Sequence, residues 1–263
     1  MSAARIDEAT LRRIVMVASP LAVLLAWQVL SAARVFPPEV LVSPQAVLAA
    51  FGQLTASGEL ARHLGESLQR LLWGFSIGSG AGLLFGLAAA LSPTFARLFD
   101  PLFQALRQVP VLAFIPLLIL LFGIDEVFKI VIIAKAAFFP TALSTLDGVR
   151  GVPRAWFEVA RIYRTPLPSL VWRVLIPATV PSVLSGVRLS LTRAWLVLVA
   201  AELIVADSGI GQMMEMGRQM FRLDVVMVGV VVCGVIGFAL DRGFVLLQAR
   251  LLRWRAQPAG AAA

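Results

Sequence analysis

Read as a pattern of apolar and polar positions, the chain is dominated by apolar runs too long for the helices of a soluble core. A bilayer core of about 30 Å needs roughly 20 apolar residues per crossing helix. Six runs qualify, at about 14–31, 67–91, 102–123, 128–147, 182–206 and 224–248. Two polar intervals between them are long, 32–66 and 148–181. The first opens with VFPPEVLVSP, which predicts extended or turn-like backbone, and continues as AVLAAFGQLTASGELARHL, which predicts one or two amphipathic surface helices. The run at 14–31 follows Arg12-Arg13 with no small-residue cleavage site of convincing form, so it reads as a retained helix.

Composition agrees with a polytopic membrane protein. Hydrophobic residues make up 59% of the chain and charged residues 14%, well away from soluble averages. A net charge of +8 in a soluble chain would suggest nucleic acid. Here every basic residue except Lys129 and Lys135 is arginine, and most of them lie between apolar runs, where membrane topology explains them and no nucleic acid is implied. With the N-terminus in the cytoplasm, twelve arginines outside the spans fall on the inner side and only Arg34, Arg62, Arg218 and Arg222 fall on the outer side. The positive-inside rule therefore puts both termini and the 148–181 interval in the cytoplasm.

Catalytic chemistry finds little to work with. Cys233 is the only cysteine and His63 the only histidine, so neither an internal disulfide nor a Cys/His metal cluster is available, and no metal site is expected. His63 reads as an interfacial helix residue. A phosphate-binding P-loop needs a lysine after glycine, whereas Lys129 follows Phe128 and Lys135 follows Ala134. This chain does not bind ATP by that route.

The spans themselves carry more information. Gly74, Gly78, Gly82 and Gly86 recur every four residues, which predicts a groove for close helix packing. Pro110 and Pro116 open the third span and each predicts a kink. Ionisable groups at membrane depth cost about 2.5–3.5 kcal/mol each on insertion scales. Lys135, Arg193 and Glu202 are of this kind, while Arg188 is read as snorkelling toward the cytoplasm. Arg193 and Glu202 stand about 13 Å apart along one helix, so each needs a partner on another helix, a water-filled path or a ligand. Structural ion pairing and a role on a translocation path both remain open for these residues.

The cytoplasmic interval holds the most specific pattern. EVARIYRTPLPSLVWRVLIP, at 158–177, resembles the EAA loop of ABC importer permeases, in which E-A-A is followed at fixed distances by glycine and by I-x-L-P. Glu158, Val159 and Ala160 fall on the first element, and Val174, Ile176 and Pro177 on the last. Arg164 stands where the family has glycine, and a different turn, supplied by Thr165-Pro166 with Pro168, is expected there. LRQVPVLAFIPLLILLFGI and GVRLSLTRAWLVLVAAELIVADSGIGQMM are similar to the third and fifth spans of the nitrate/sulfonate/taurine/bicarbonate subfamily, with Trp195, Glu202, Gly209 and Gly211 on its fifth-span pattern.

This resemblance implies an all-α polytopic protein with the six transmembrane helices of a type I, MetI-like importer permease. Residues 1–62 would hold a cytoplasmic segment, the first span and an external amphipathic segment; 63–248 would be the transmembrane domain, with its coupling loop at 148–181; 249–263 would be a cytoplasmic tail. It implies a non-catalytic inner-membrane subunit working with a second copy of itself, with two ATP-binding subunits that bind ATP and Mg, and with a periplasmic or lipid-anchored solute-binding protein. Glu158 to Arg164, with Arg161, Ile162 and Tyr163, would contact the ATPase. Pro110, Pro116, Lys135, Arg193, Trp195 and Glu202 are the candidate path residues for a small anionic solute. The substrate stays open among nitrate, sulfonates, taurine, bicarbonate and neutral heterocycles. A self-sufficient secondary transporter or channel using Lys135, Arg193 and Glu202 is the competing class; it leaves the spaced loop unexplained and lacks an inverted repeat.

Overall fold

The computed structural model describes residues 8–37 and 41–254, with the side chains of 8–14, 16, 17, 167 and 168 outside the described set. Arg5, Pro38, Arg255, the Pro168 ring and the last residues of 249–263 therefore fall outside it. Eleven α-helices are present among the described residues: α1 (Glu8–Ala32), α2 (Pro44–Ala56), α3 (Glu59–Leu91), α4 (Pro93–Gln108), α5 (Ile115–Phe122), α6 (Glu126–Arg150), α7 (Arg154–Ile162), α8 (Leu167–Leu170), α9 (Ile176–Ile204), α10 (Ile210–Gln219) and α11 (Leu223–Leu251). A 3-10 turn at Val111–Phe114 precedes α5, and a π-helical turn at Val171–Leu175 leads into α9.

Four stretches are long and apolar enough to cross a membrane: α3, α6, Val171–Ile204 and α11. A fifth crossing exists if α4 and Val111–Phe122 count as one broken span, and α1 adds a shorter apolar stretch, Ala18–Ala32. The run expected as a single helix at 102–123 is thus two segments bent by 97°. Pro110 is the cause. It disfavours helical backbone at the preceding residue, and Val109 is extended (φ −73°, ψ 121°). Pro116, by contrast, makes no kink, because it lies in the first turn of α5, where a missing N–H is no loss. The amphipathic stretch after residue 45 divides. Its first part is α2, capped by Ser43 Oγ, and its remainder is the start of α3, continuous with the span.

The chain separates into two compact units, one made of Met1–Ala61 with Met213–Val231 and the other of Arg62–Gln212 with Val232–Ala263. In the first, the Trp27 indole donates to the Val42 carbonyl at 2.9 Å, and Gly229 leaves room for Met214. The second holds every candidate site residue. Its centre is α6 lying between α3 and α9. Gly74, Gly78, Gly82 and Gly86 present bare backbone to Ile133, Ala134, Phe138 and Ala142 of α6, so closely that a Cβ at Gly78 would overlap the Ala134 backbone. On α9, Gly186 admits Ser144, and the hydroxyls of Thr141 and Ser190 bond at 2.9 Å. Phe85, Phe103 and Phe138 then fasten α4 to α3 and α6, with the first two rings stacked at 5.0 Å.

Candidate functional site

The two spaced elements of the 148–181 interval meet in space. α7 is short and strongly amphipathic. It buries Ala160 and part of Phe157, the latter against Val149, Val152 and Leu175. Its other face leaves Trp156, Val159 and Ile162 exposed, with Tyr163 beyond its end. Val159, Ala160 and Tyr163 line one groove of about 630 Å³ with Thr165, Val174 and Pro177. Glu158 is exposed on the same short helix, and Ile176-Pro177 form the first turn of α9. α6 runs on to Arg150 and α9 begins at Ile176, so both ends of the 148–181 interval are helical.

The turn after α7 corrects one expectation. Arg164 itself adopts the left-handed conformation, φ 49°, that a glycine would take. Thr165 N–H donates to the Ala160 carbonyl and Arg164 N–H to the Arg161 carbonyl, the paired bonds of a Schellman ending. The turn is therefore the glycine-type turn made with arginine, and no proline-built substitute is needed. Arg34 and Phe221 close α1 and α10 in the same way, with φ 50° and 55°.

A second cluster lies at the other end of α3, α6 and α9. Arg70 is 4% exposed and all five of its N–H donors are used. Nε and Nη2 grip Glu126 at 2.7 and 2.8 Å, Nη1 reaches Glu202 at 2.7 Å, and Ser208 accepts through its carbonyl and its hydroxyl. Lys129 adds a bond to Glu126 at 2.9 Å. Glu202 is 1% exposed and also accepts from Ser67 Oγ and the Gly211 N–H. Ile210 N–H donates to Ser67 Oγ, and Gly209 N–H to His63 Nδ1. The first N–H groups of α10, which no helix can satisfy internally, are thus met by side chains of α3 and α9, with a carboxylate at the positive end of the helix dipole. Gly209 (φ 111°) is required, since a Cβ there would overlap the Glu202 carboxylate.

The candidate path residues are not brought together. Glu202 belongs to the saturated cluster and does not balance Lys135 or Arg193. Lys135 Nζ donates to the Val109 carbonyl at 3.3 Å and sits 4.1 Å from the Phe114 ring centroid, beside the break made by Pro110. Pro116 lies one turn further along, in α5. Arg193 is exposed on α9. Trp195 is buried and its indole donates to the Cys233 carbonyl of α11 at 3.3 Å. Arg188, read as snorkelling, is paired: Nε and Nη2 donate to both oxygens of Asp241 on α11 at 2.7 and 2.8 Å. Sequence reasoning missed Arg70 and Asp241. The signal was available, because a carboxylate at membrane depth demands a cation on another helix, and α3 offers Arg70 just inside its apolar run. His63, read as interfacial, is 3% exposed.

No group of three metal-ligating side chains occurs among the described residues. Compared with known proteins, residues 82–253 match the family model described as "Binding-protein-dependent transport system inner membrane component". The chain is similar to the permease protein SsuC of Bacillus subtilis (strain 168), named for aliphatic sulfonates transport, at 42% identity over 236 residues, covering 90% of this chain and 86% of that one. It is 35% identical over 254 residues to the taurine transport system permease protein TauC of Escherichia coli (strain K12), covering 94% and 92%. Among solved structures, a methionine ABC transporter in an inward-facing conformation matches with a TM-score of 0.55 at 19% identity, over 68% of this chain and 91% of that one. An amino acid ABC transporter with histidines matches with a TM-score of 0.60 at 16% identity, over 77% and 96%. These last two likenesses concern the fold alone.

Proposed function

The chain belongs to the binding-protein-dependent transport inner membrane component family, and from that premise we propose how it works: as the permease subunit of an ABC importer for small organic anions of the aliphatic sulfonate and taurine kind. The relatives' names support the substrate class. The observation that carries the mechanism is the meeting of Val159-Ala160 with Val174 and Pro177 in one groove beside an exposed apolar face of α7. Two separate ATP-binding subunits, each carrying its own ATP and Mg, dock there, one on each copy of a homodimer. Trp156, Ile162 and Tyr163 supply the apolar anchors and Arg161 and Arg164 supply charge-assisted contacts. Both termini and α7 face the cytoplasm, and an external solute-binding protein delivers substrate to the opposite side.

Packing of α7 against Val149, Val152 and Leu175 gives the lever. A push on α7 reaches the inner ends of α6 and α9 through well-packed side chains, and α3 follows through its glycine contacts with α6. At the outer end the Arg70 cluster ties α3, α6 and α9 together, so the three helices move as one body. A secondary transporter with an intramembrane ion site is disfavoured by the same cluster, in which Arg70 has no donor left for a travelling ion.

Reconstitution in proteoliposomes with the ATP-binding subunit and the binding protein tests the reading. Pentanesulfonate uptake is expected to require ATP inside the cytoplasmic compartment. Uptake driven by a proton or sodium gradient without ATP would favour the secondary transporter.

A further inference from the structure

Outside the outer cluster, α9 and α11 carry further ionisable side chains, among them Arg188, Arg193, Asp241 and Arg242. Arg188 stands 17 residues from Val171 and 16 from Ile204, at the middle of its apolar stretch, and Asp241 faces it from α11. Both are half-exposed, at 42% and 34%. A charge pair at this depth is too costly to face hydrocarbon and marks either a protein contact or a wet path. Beside it, between the two helices, lies a pocket of about 560 Å³ walled by Trp195, Val199, Leu203, Cys233 and Phe238, with Asp241 at one end. The Arg242 guanidinium lies 5.2 Å from the Phe238 ring centroid. Gly237 leaves the space that Trp195 fills.

We propose that this α9/α11 pocket is the substrate site on the translocation path, taking an organic monoanion with an apolar body. It rests on the importer reading given above and names the site that reading leaves open. Three features fit. The volume lies within the usual range for small-molecule sites, roughly 300–1,000 Å³, and the walls are apolar apart from Thr192, Cys233 and Asp241, the last of which holds Arg188 beside the pocket. Arg188, Asp241 and Arg242 sum to one positive charge, so a bound monoanion makes the group neutral. Among the described residues Arg188 Nη1 has no hydrogen-bond partner, which leaves the guanidinium a free edge for a sulfonate or carboxylate oxygen while Asp241 holds the other edge. Arg70, fully saturated, offers no such edge. The anion's head sits at Arg188 and its alkyl part lies along Trp195 and Phe238.

Cys233, the only cysteine of the chain, reports on the pocket without any substitution. The full complex is assembled with cysteine-free partner subunits, and ATP-driven pentanesulfonate uptake is measured first. Its absence overturns the importer reading and this site together. Given uptake, a membrane-impermeant maleimide added from outside is expected to label Cys233, and pentanesulfonate is expected to slow that labelling about ten-fold. Labelling by a lipid-soluble maleimide alone would mean that lipid or a second copy covers the pocket, and labelling indifferent to pentanesulfonate would mean that no anion binds there; either overturns the site only. The double variant R188M/D241N leaves no stranded charge. It is expected to assemble normally and lose uptake about ten-fold. Wild-type uptake by that variant would reduce the pair to a structural contact and overturn the proposal.

Discussion

At the scale of single residues, two arginines carry opposite lessons. Arg164 occupies a position whose backbone a glycine would adopt without strain, φ 49°. A left-handed non-glycine residue costs roughly 1–2 kcal/mol, part of which glycine gives back in unfolded-chain entropy. Arg164→Gly is therefore expected to stabilise the protein by roughly 0.5–1 kcal/mol, read as a higher midpoint of thermal unfolding in detergent. The expected turn was legible as a turn and illegible as to type, because the sequence offered Thr165-Pro166 and the helix ending took the Schellman bonds instead. Arg70 shows what a list of loop arginines overlooks. Removing it in Arg70→Met strands Glu202, which is 1% exposed, and a broken buried pair costs roughly 3–5 kcal/mol. Folded yield on size exclusion should collapse, and R70M/E202Q should recover part of it. Equal yields for the two variants would mean that the pair is not coupled.

At the scale of elements, periodicity gave most of what it could. The glycine spacing of α3 corresponds to the close approach of α6 at Ile133, Ala134, Phe138 and Ala142. Gly78→Leu forces a side chain into the Ala134 backbone, which cannot swing away as a side-chain tip could. Overpacking typically costs 1–3 kcal/mol, and about 3 kcal/mol or more is expected here; loss of the folded species in detergent checks it, and Gly80→Leu, whose site is open, serves as the control. Hydropathy alone could not reveal that the 102–123 run is broken, since Val111–Phe122 is as apolar as an unbroken span. Pro110 carried the signal, and Lys135 meets the Val109 carbonyl that the break leaves outside a helix.

At the scale of the whole molecule, the class of protein was readable from apolar runs, arginine asymmetry and the spaced pattern at 158–177. The division into two compact units was not, because it follows tertiary contacts of α1, α2 and the α10–α11 turn that no local pattern encodes. The pairing of Arg188 with Asp241 was hidden for a similar reason: the two lie on separate helices 53 residues apart. What the sequence could mark was the segment proposed here as the lever. Ile162 and Tyr163 stay 77% and 78% exposed at the end of α7, an arrangement that makes sense for a partner's groove. The direct measurement is ATP hydrolysis by the assembled complex, with and without loaded binding protein, for the wild type and for I162D/Y163D. We expect the variant to reach the membrane normally while stimulated hydrolysis falls about ten-fold toward the unstimulated rate. Full stimulation, with the ATP-binding subunit still co-purifying, would contradict docking at α7.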